Sequence, residues 1–371
     1  MILVKAITFL MQNFLFCVMG LIGIGFLIGF HELGHFLFCK LFNIRTPSFS
    51  IGMGPRIFKK KIGETEFALS AIPLGGYVEI AGSSEVGQGE QKDAHANDEQ
   101  SFTRKPFYQK LLVLFGGILF NLGFAYFALI LLCKLGVPRT TPIIKTIQPD
   151  SAAALYKLLP GDHITAINGQ EINEDLEKGL SLIAPLAKQE AIFTIERDGS
   201  KIEIPVVLGE KKDLKGNSVG AMGVTFEMKR TAGVSFFEAI SQGIQLTNSY
   251  IVNTILGFKN LFSKQGINAV QGPVAIISIM IQSISQSFSL YLLLLAIISI
   301  NLAVLNLLPL PILDGGQIFT CIIEAIIRRP IHLKAKEYIH IASWVLVMGL
   351  VLYLSAQDIY RLIKPLFAKL F

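Results

Sequence analysis

Charge is scarce in this chain. Only 16% of its 371 residues are Asp, Glu, Lys or Arg, against 52% hydrophobic. Soluble globular domains carry about 25% charged residues, so the deficit argues against a soluble domain and for a membrane protein. Cysteine is scarce too. Cys17, Cys39, Cys133 and Cys321 lie in or beside apolar segments and form no C-x-x-C pair. That argues against a disulfide framework and a cysteine-based metal site, and leaves small buried apolar residues. No nucleic-acid module and no internal repeat is visible, and the net charge of +6 is modest. Loops facing an anionic cytoplasmic leaflet account for that excess.

What the chain has in quantity is apolar runs. About 20 apolar residues span a bilayer core, and four segments meet that length: about 7–36, 108–133, 291–313 and 338–358. The first could be a cleaved signal peptide. It is too long, no A-x-A-like site follows it, and His31 stands at its end, so it is expected to be a retained span. A fifth candidate, Val270–Leu290, is uncharged but rich in Ser and Gln.

Between these runs lie two polar regions. In the first, a stretch at about 50–80 alternates partly, and Ile57–Leu69 is predicted to form two short strands around a Gly63 turn. Gly82–Gln100 follows as a polar run and is expected to form a mobile loop. The second region, 134–230, has the size of one small domain. Strands are predicted at Ile143–Ile147, His163–Ile167, Ala191–Glu196 and Lys201–Val207, with a tight turn at Pro160-Gly161-Asp162 and a type I′ turn at Asn168-Gly169. Ten Lys and Arg residues in 40–110 and four in 315–338 put both loops on the cytoplasmic side. By alternation the 134–230 domain and both chain ends lie outside.

His31-Glu-Leu-Gly-His35 matches H-E-x-x-H. On a helix, positions i and i+4 share a face, which lets two imidazoles grip one zinc ion. Glu32, one step round, is in place to take a proton from water at that metal. A chance pentapeptide is the bland alternative, but three ionisable groups closing an apolar helix are costly and by default functional. A catalytic zinc takes three protein ligands. Asp314 is the only charged residue in Gly266–Thr320. It follows Pro309 and Pro311, which must break the helix, and it precedes Gly315-Gly316. An ordinary helix-end aspartate would need no such arrangement, so a His31, His35, Asp314 site is expected.

On these residues the chain resembles the site-2 protease family of intramembrane zinc metalloproteases, in its bacterial regulator-of-sigma-E protease-like branch. The resemblance covers almost the whole chain. HELGH at 31–35 and NLLPLPILDGG at 306–316 match the family's two defining motifs. Gly117-Ile-Leu-Phe-Asn121 resembles its G-x-x-x-N motif. Leu158–Gly169 resembles a run typical of a PDZ domain, of which 134–230 has room for one. Gly52-Met-Gly-Pro55 through Gly75-Gly76-Tyr77 resembles a hairpin that folds back into the membrane.

The resemblance implies a polytopic α-helical membrane protein of about four spans, with a membrane-associated β-hairpin and an inserted mixed α/β PDZ domain. It implies a catalytic membrane part split into 1–133 and 291–371, one Zn2+ per chain, and Glu32 as the catalytic base. The expected setting is the bacterial inner membrane and its lipid bilayer. The expected partners are transmembrane substrates such as anti-sigma factors or signal-peptide remnants, with no nucleic acid. Gly272-Pro273-Val274 resembles a family element outside the membrane core. Asp314 must also reach the depth of His31 and His35, so 231–290 is expected to form amphipathic outer-face helices and a loop, with Phe236, Phe237 and Phe258 at the interface.

Secondary candidates are Asn306, to hold substrate backbone or to pack helices, and Asn121, to support the site, together with Pro309, Pro311 and Gly315. His95, His163, His332 and His340 lack ligand spacing. Gly20, Gly23, Gly25 and Gly29 suit close helix packing. A helical substrate must unwind before hydrolysis, and the edge strand offering it new hydrogen bonds is expected over Phe67–Ser70. Two other classes compete: a catalytically silent PDZ-bearing scaffold and a zinc transporter. An intact Glu32 argues against the first, and the missing repeat against the second.

Overall fold

A computed structural model describes residues 14–83, 93, 96–172, 175–212, 217–261, 270–329 and 331–367. The chain divides into two units: Met1–Lys134 with Ser235–Gly257 and Gln271–Phe371, and Leu135–Val234 with Phe258–Val270.

The first unit is built on long apolar helices. Helix α1 spans Phe14–Leu41 and α2 spans Phe107–Leu135. Among the described residues four helical segments are long and apolar enough to cross a membrane: Phe14–Leu41, Phe107–Leu135, Phe288–Asn306 and Lys334–Arg361. These match the four predicted spans, although residues 7–13 of the first lie outside the described residues. In lipid no hydrophobic force drives one apolar helix onto another, so close packing of small residues does. A Cβ on Gly34 of α1 would run into the Gly116 carbonyl of α2, and one on Gly116 into the Gly34 carbonyl. The two backbones therefore touch. Gly20 meets Met280, Gly23 the Tyr291 ring and Gly29 the Ile51 side chain, as the glycine stripe of α1 suggested.

Strands β1 (Ser48–Ile62) and β2 (Thr65–Glu79) are far longer than the short pair expected around Gly63. Each bends and pairs twice. Arg56–Ile62 pairs with Thr65–Ser70, while Ser48–Ile51 is flanked by Glu66–Leu69 on one side and Gly76–Glu79 on the other. Gly52 and Gly75 make the bends with φ of +88° and +108°, a region that only glycine enters freely. This overturns one expectation. Phe67, Ala68 and Leu69 are paired on both sides, so they are interior, and among the described residues the outer segments of the sheet are Arg56–Ile62 and Gly76–Glu79. Phe36 of α1 anchors the sheet, with ring centroids 5.5 Å from both Phe49 and Phe67. Such aromatic pairs contribute about 0.5–1.5 kcal/mol each beyond burial.

The second unit carries β3 (Pro138–Ile147), α3 (Ala152–Leu155), β4 (His163–Ile167), β5 (Gln170–Glu171), α4 (Leu176–Ile183), β6 (Glu190–Arg197), β7 (Ser200–Val207), β8 (Gly209–Lys212), β9 (Ser218–Ala221) and β10 (Val224–Arg230). Its main sheet runs β10-β3-β4-β6-β7, with β5 on β4. The four predicted strands are all present. Asn168 and Gly169 both have positive φ, as a type I′ turn between β4 and β5 requires. Period-two alternation sends Ala191, Phe193 and Ile195 inward. Asp162, buried in the Pro160-Gly161-Asp162 turn, accepts from Arg197 Nε at 2.7 Å and from the Leu159 amide at 2.8 Å. That ties the turn to β6, and the neighbouring carboxylate raises the Arg197 pKa.

The first unit resumes with α5 (Phe236–Leu261), which belongs to it as far as Gly257, followed by α6 (Pro273–Gln286), α7 (Phe288–Asn306), α8 (Asp314–Ile327) and α9 (Leu333–Phe367). Helix α5 is amphipathic, with Phe236 and Phe237 exposed. Its small-residue face packs along two apolar helices: Gly243 abuts the Ile130 backbone, Tyr126 Oη donates to Asn248 Oδ1 at 2.6 Å, and Thr254 Oγ1 donates to Asn301 Oδ1 at 2.9 Å. Helix α6 has 14 residues and is too short to be a span. The buried Asp358 carboxylate of α9 accepts from the Gly272 and Ala275 amides at 3.2 and 2.9 Å, so it caps the α6 N-terminus.

Candidate active site

The predicted span 291–313 ends early. Helix α7 stops at Asn306, and α8 begins at Asp314. Pro309 and Pro311 lack amide donors, and each drives the preceding residue out of the helical region. The chain turns through Leu307–Leu313 and starts a new helix. That turn needs the two glycines. A Cβ on Gly315 would strike the Leu307 carbonyl, and one on Gly316 the Leu310 carbonyl. The break thus delivers Asn306 and Asp314 to one place from the ends of two helices.

They meet His31 and His35, one turn apart on α1. His31 Nε2 lies 3.1 Å from His35 Nε2 and 3.2 Å from Asp314 Oδ2, and His35 Nε2 lies 3.4 Å from Asp314 Oδ1. All three residues are buried. Zinc–nitrogen and zinc–oxygen bonds of about 2.0–2.2 Å imply tetrahedral ligand separations of roughly 3.3 Å. The separation of the two imidazole nitrogens is close to such an edge, and each of them lies at a similar distance from one of the two carboxylate oxygens. Asp314 Oδ2 makes no hydrogen bond despite its closeness to His31. The ligand atoms all lie within 4.8 Å of one another, close enough to share one cation. Two nitrogens and a carboxylate oxygen also suit zinc chemically.

Helix α2 supplies the support. Val113, Gly117 and Asn121 recur every four residues on the face toward α1. His35 Nδ1 donates to the Val113 carbonyl at 2.8 Å. A Cβ on Gly117 would collide with both imidazoles. Asn121 Nδ2 lies 3.2 Å from His31 Nδ1. Asn306 Nδ2 stands 3.3 Å from His31 Nε2. Glu32 lines the same cavity with Ile28, Val78, Ile80, Leu302 and Gln317. The edge segment of β2 passes beside it, since a Cβ on Gly76 would sit 3.3 Å from Glu32 Cγ.

Of the residues singled out in the two motifs, His31, Glu32, His35, Asn306 and Asp314 line one cavity, while Pro309, Pro311 and Gly315 shape the helix break. His163, His332 and His340 stand apart from the cluster, and His95 lies outside the described residues. Other contributors went unforeseen, Val113, Val78 and Ile80 among them. The Val113 carbonyl is main chain, so its residue type carries no signal. Val78 and Ile80 were legible as apolar strand residues, but not as cavity walls.

Apolar helices around a buried cluster of two imidazoles and a carboxylate define a membrane protein with a candidate metal centre. The chain belongs to peptidase family M50, whose model matches residues 19–350. It is 32% identical over 374 residues to a Campylobacter jejuni protein named "Putative zinc metalloprotease Cj1068", covering 98% of this chain and 97% of the relative. A Fusobacterium nucleatum protein with the same description, FN1322, is 32% identical over 91% of this chain and 97% of the relative. A Helicobacter pylori relative is 31% identical over 93% and 98%. The protein is thus a membrane-embedded zinc metalloprotease of the site-2 type.

Gly117→Ala should push both imidazoles and weaken zinc retention by about tenfold, read as metal content after dialysis against a chelator. Gly123→Ala, on the same helix with open space around it, is the control. Equal zinc in the two variants would show that Gly117 does not set the ligand positions.

Proposed function

We propose that this chain hydrolyses peptide bonds within single-span membrane proteins, holding one zinc per chain with His31, His35 and Asp314. The carrying observation is the set of three separations, 3.1, 3.2 and 3.4 Å, among buried ligand atoms from two elements far apart in sequence. When bound, zinc supplies a Lewis acid that polarises a carbonyl and acidifies water. Glu32 is the general base: its carboxylate takes the proton of the attacking water and returns it to the leaving amine nitrogen. Asn306 points its amide at the same spot and donates to the substrate backbone. Burial of the site between apolar helices keeps bulk water from competing.

A transmembrane substrate hides its carbonyls in helical hydrogen bonds, and each orphaned backbone group in lipid costs several kcal/mol. The Gly76–Glu79 edge, adjoining Glu32, offers replacement bonds to an unwound segment. Substrates in this reading are anti-sigma-factor-like proteins or signal-peptide remnants in regulated intramembrane proteolysis. The 135–234 unit, eight strands with two helices, serves as a single PDZ domain that filters them. With Lys and Arg concentrated in 40–110 and 315–338, the cavity end faces the cytoplasm of a bacterial inner membrane and the PDZ domain the outer side.

Three measurements test this. Purified protein with a model transmembrane peptide should cleave it, Glu32→Gln should cut at least a thousandfold more slowly with zinc intact, and Asp314→Ala should lose both. Zinc binding by wild type without any cleavage would favour a silent scaffold. Proline placed singly at Gly76, Tyr77 and Val78 removes one donor each. At least one variant should fail on the helical peptide yet cut an unstructured one with zinc unchanged; normal rates in all three would sink the strand-donor role. Cysteines introduced near Lys60 and Asn168 in a Cys-free background should label from opposite sides of the membrane, and same-side labelling would refute the topology.

A further inference from the structure

An imidazole that ligates through Nε2 must carry its proton on Nδ1, and that N–H needs an acceptor. His35 has one in the Val113 carbonyl at 2.8 Å. For His31 the facing group is the Asn121 carboxamide, whose Nδ2 lies 3.2 Å from His31 Nδ1. Asn121 is 1% exposed, and its Oδ1 is a buried acceptor with no hydrogen-bond partner. In that orientation the amide donates to His31, which forces the imidazole lone pair to Nδ1 and the proton to Nε2. The proton then points at His35 and Asp314, where the cation belongs. The two ends of an amide have nearly the same shape, so the opposite orientation occupies the same space. A half-turn about the Cβ–Cγ bond brings Oδ1 to His31 Nδ1. It replaces an orphaned acceptor with a satisfied one and frees the Nε2 lone pair.

We infer that Asn121 is a positioning residue for the zinc site: with metal bound, its carboxamide oxygen accepts from His31 Nδ1–H and fixes the tautomer and tilt of that ring. With His31 Nε2 committed to a cation, the other orientation would set N–H against N–H. Metal and amide orientation are therefore coupled. The residue is held ready for the task. Its own backbone carbonyl accepts from Ser299 Oγ at 2.8 Å, and Ser299 on α7 is fully buried. Helix α2 is thereby pinned at Asn121 by α7, while Gly117 one turn earlier admits both rings. The inference rests on the His31, His35, Asp314 reading of the zinc site.

The test is zinc affinity of the full-length protein in detergent, by competition with a chromogenic chelator and without substrate. Asn121→Asp keeps an acceptor and lacks the donor, so its affinity should stay within about threefold of wild type. Asn121→Leu lacks both and excludes a substitute water; its affinity should fall about 10–100-fold. Gly123→Ala, on the same helix with open space around it, is the control and should bind zinc like wild type. Thermal midpoints at saturating zinc confirm folding. Loss in Asp equal to that in Leu would mean that Asn121 donates or merely packs, and would overturn the inference. So would unchanged affinity in Leu. Should Leu fail to fold, Asp alone decides: a loss beyond tenfold overturns the inference. Asp314→Ala runs alongside: zinc bound equally by wild type and Asp314→Ala would refute the ligand set itself, separately from the role of Asn121.

Discussion

Two imidazole nitrogens and a carboxylate oxygen converge in this protein on a point that is buried among apolar helices. Such a cluster has no stable existence without a cation or a network of compensating hydrogen bonds. Much of the membrane unit serves to bring the three groups together. His31 and His35 come for free from one helical turn. Asp314 does not: nearly three hundred residues separate it from them, and it arrives because a helix stops where two prolines forbid its continuation. The Leu307–Leu313 turn packs over Gly315 and Gly316, where any side chain would strike the turn's own carbonyls.

Helix α2 contributes no charged group to the cavity, yet it shapes the cluster most closely. Val113, Gly117 and Asn121 give a carbonyl, an empty space and an amide at successive turns. Backbone contact between Gly34 and Gly116 lets this stripe approach α1. A wider helix separation would leave His35 Nδ1 and His31 Nδ1 without partners. Glycine in these helices thus acts on the chemistry through distance.

The hairpin shows how far a local signal reaches. Its turn at Gly63 and its strand character were legible, because alternation and turn chemistry are local properties. Its edge was not. Phe67–Ser70 has the composition of an edge strand, but β1 bends and covers both its sides. Which segment lies outermost among the described strands depends on how each long strand bends over the other. The helix break was legible through proline, which acts on its own backbone, while its first affected residue was placed seven positions late because apolar composition continues through Leu313.

Sequence alone determined the four apolar spans, four of the eight strands of the inserted unit, and the choice of His31, Glu32, His35 and Asp314 as the candidate site. Each follows from a periodicity, a motif or a lone charge in an apolar run. Only tertiary structure decided that Gly76–Glu79 adjoins Glu32, that the Val113 carbonyl holds His35, that α5 bonds to Tyr126 and Asn301, and that Asn121 meets His31 Nδ1. These are contacts between backbones or uncharged side chains far apart in the chain. No local pattern encodes them, because they exist only once the helices have packed.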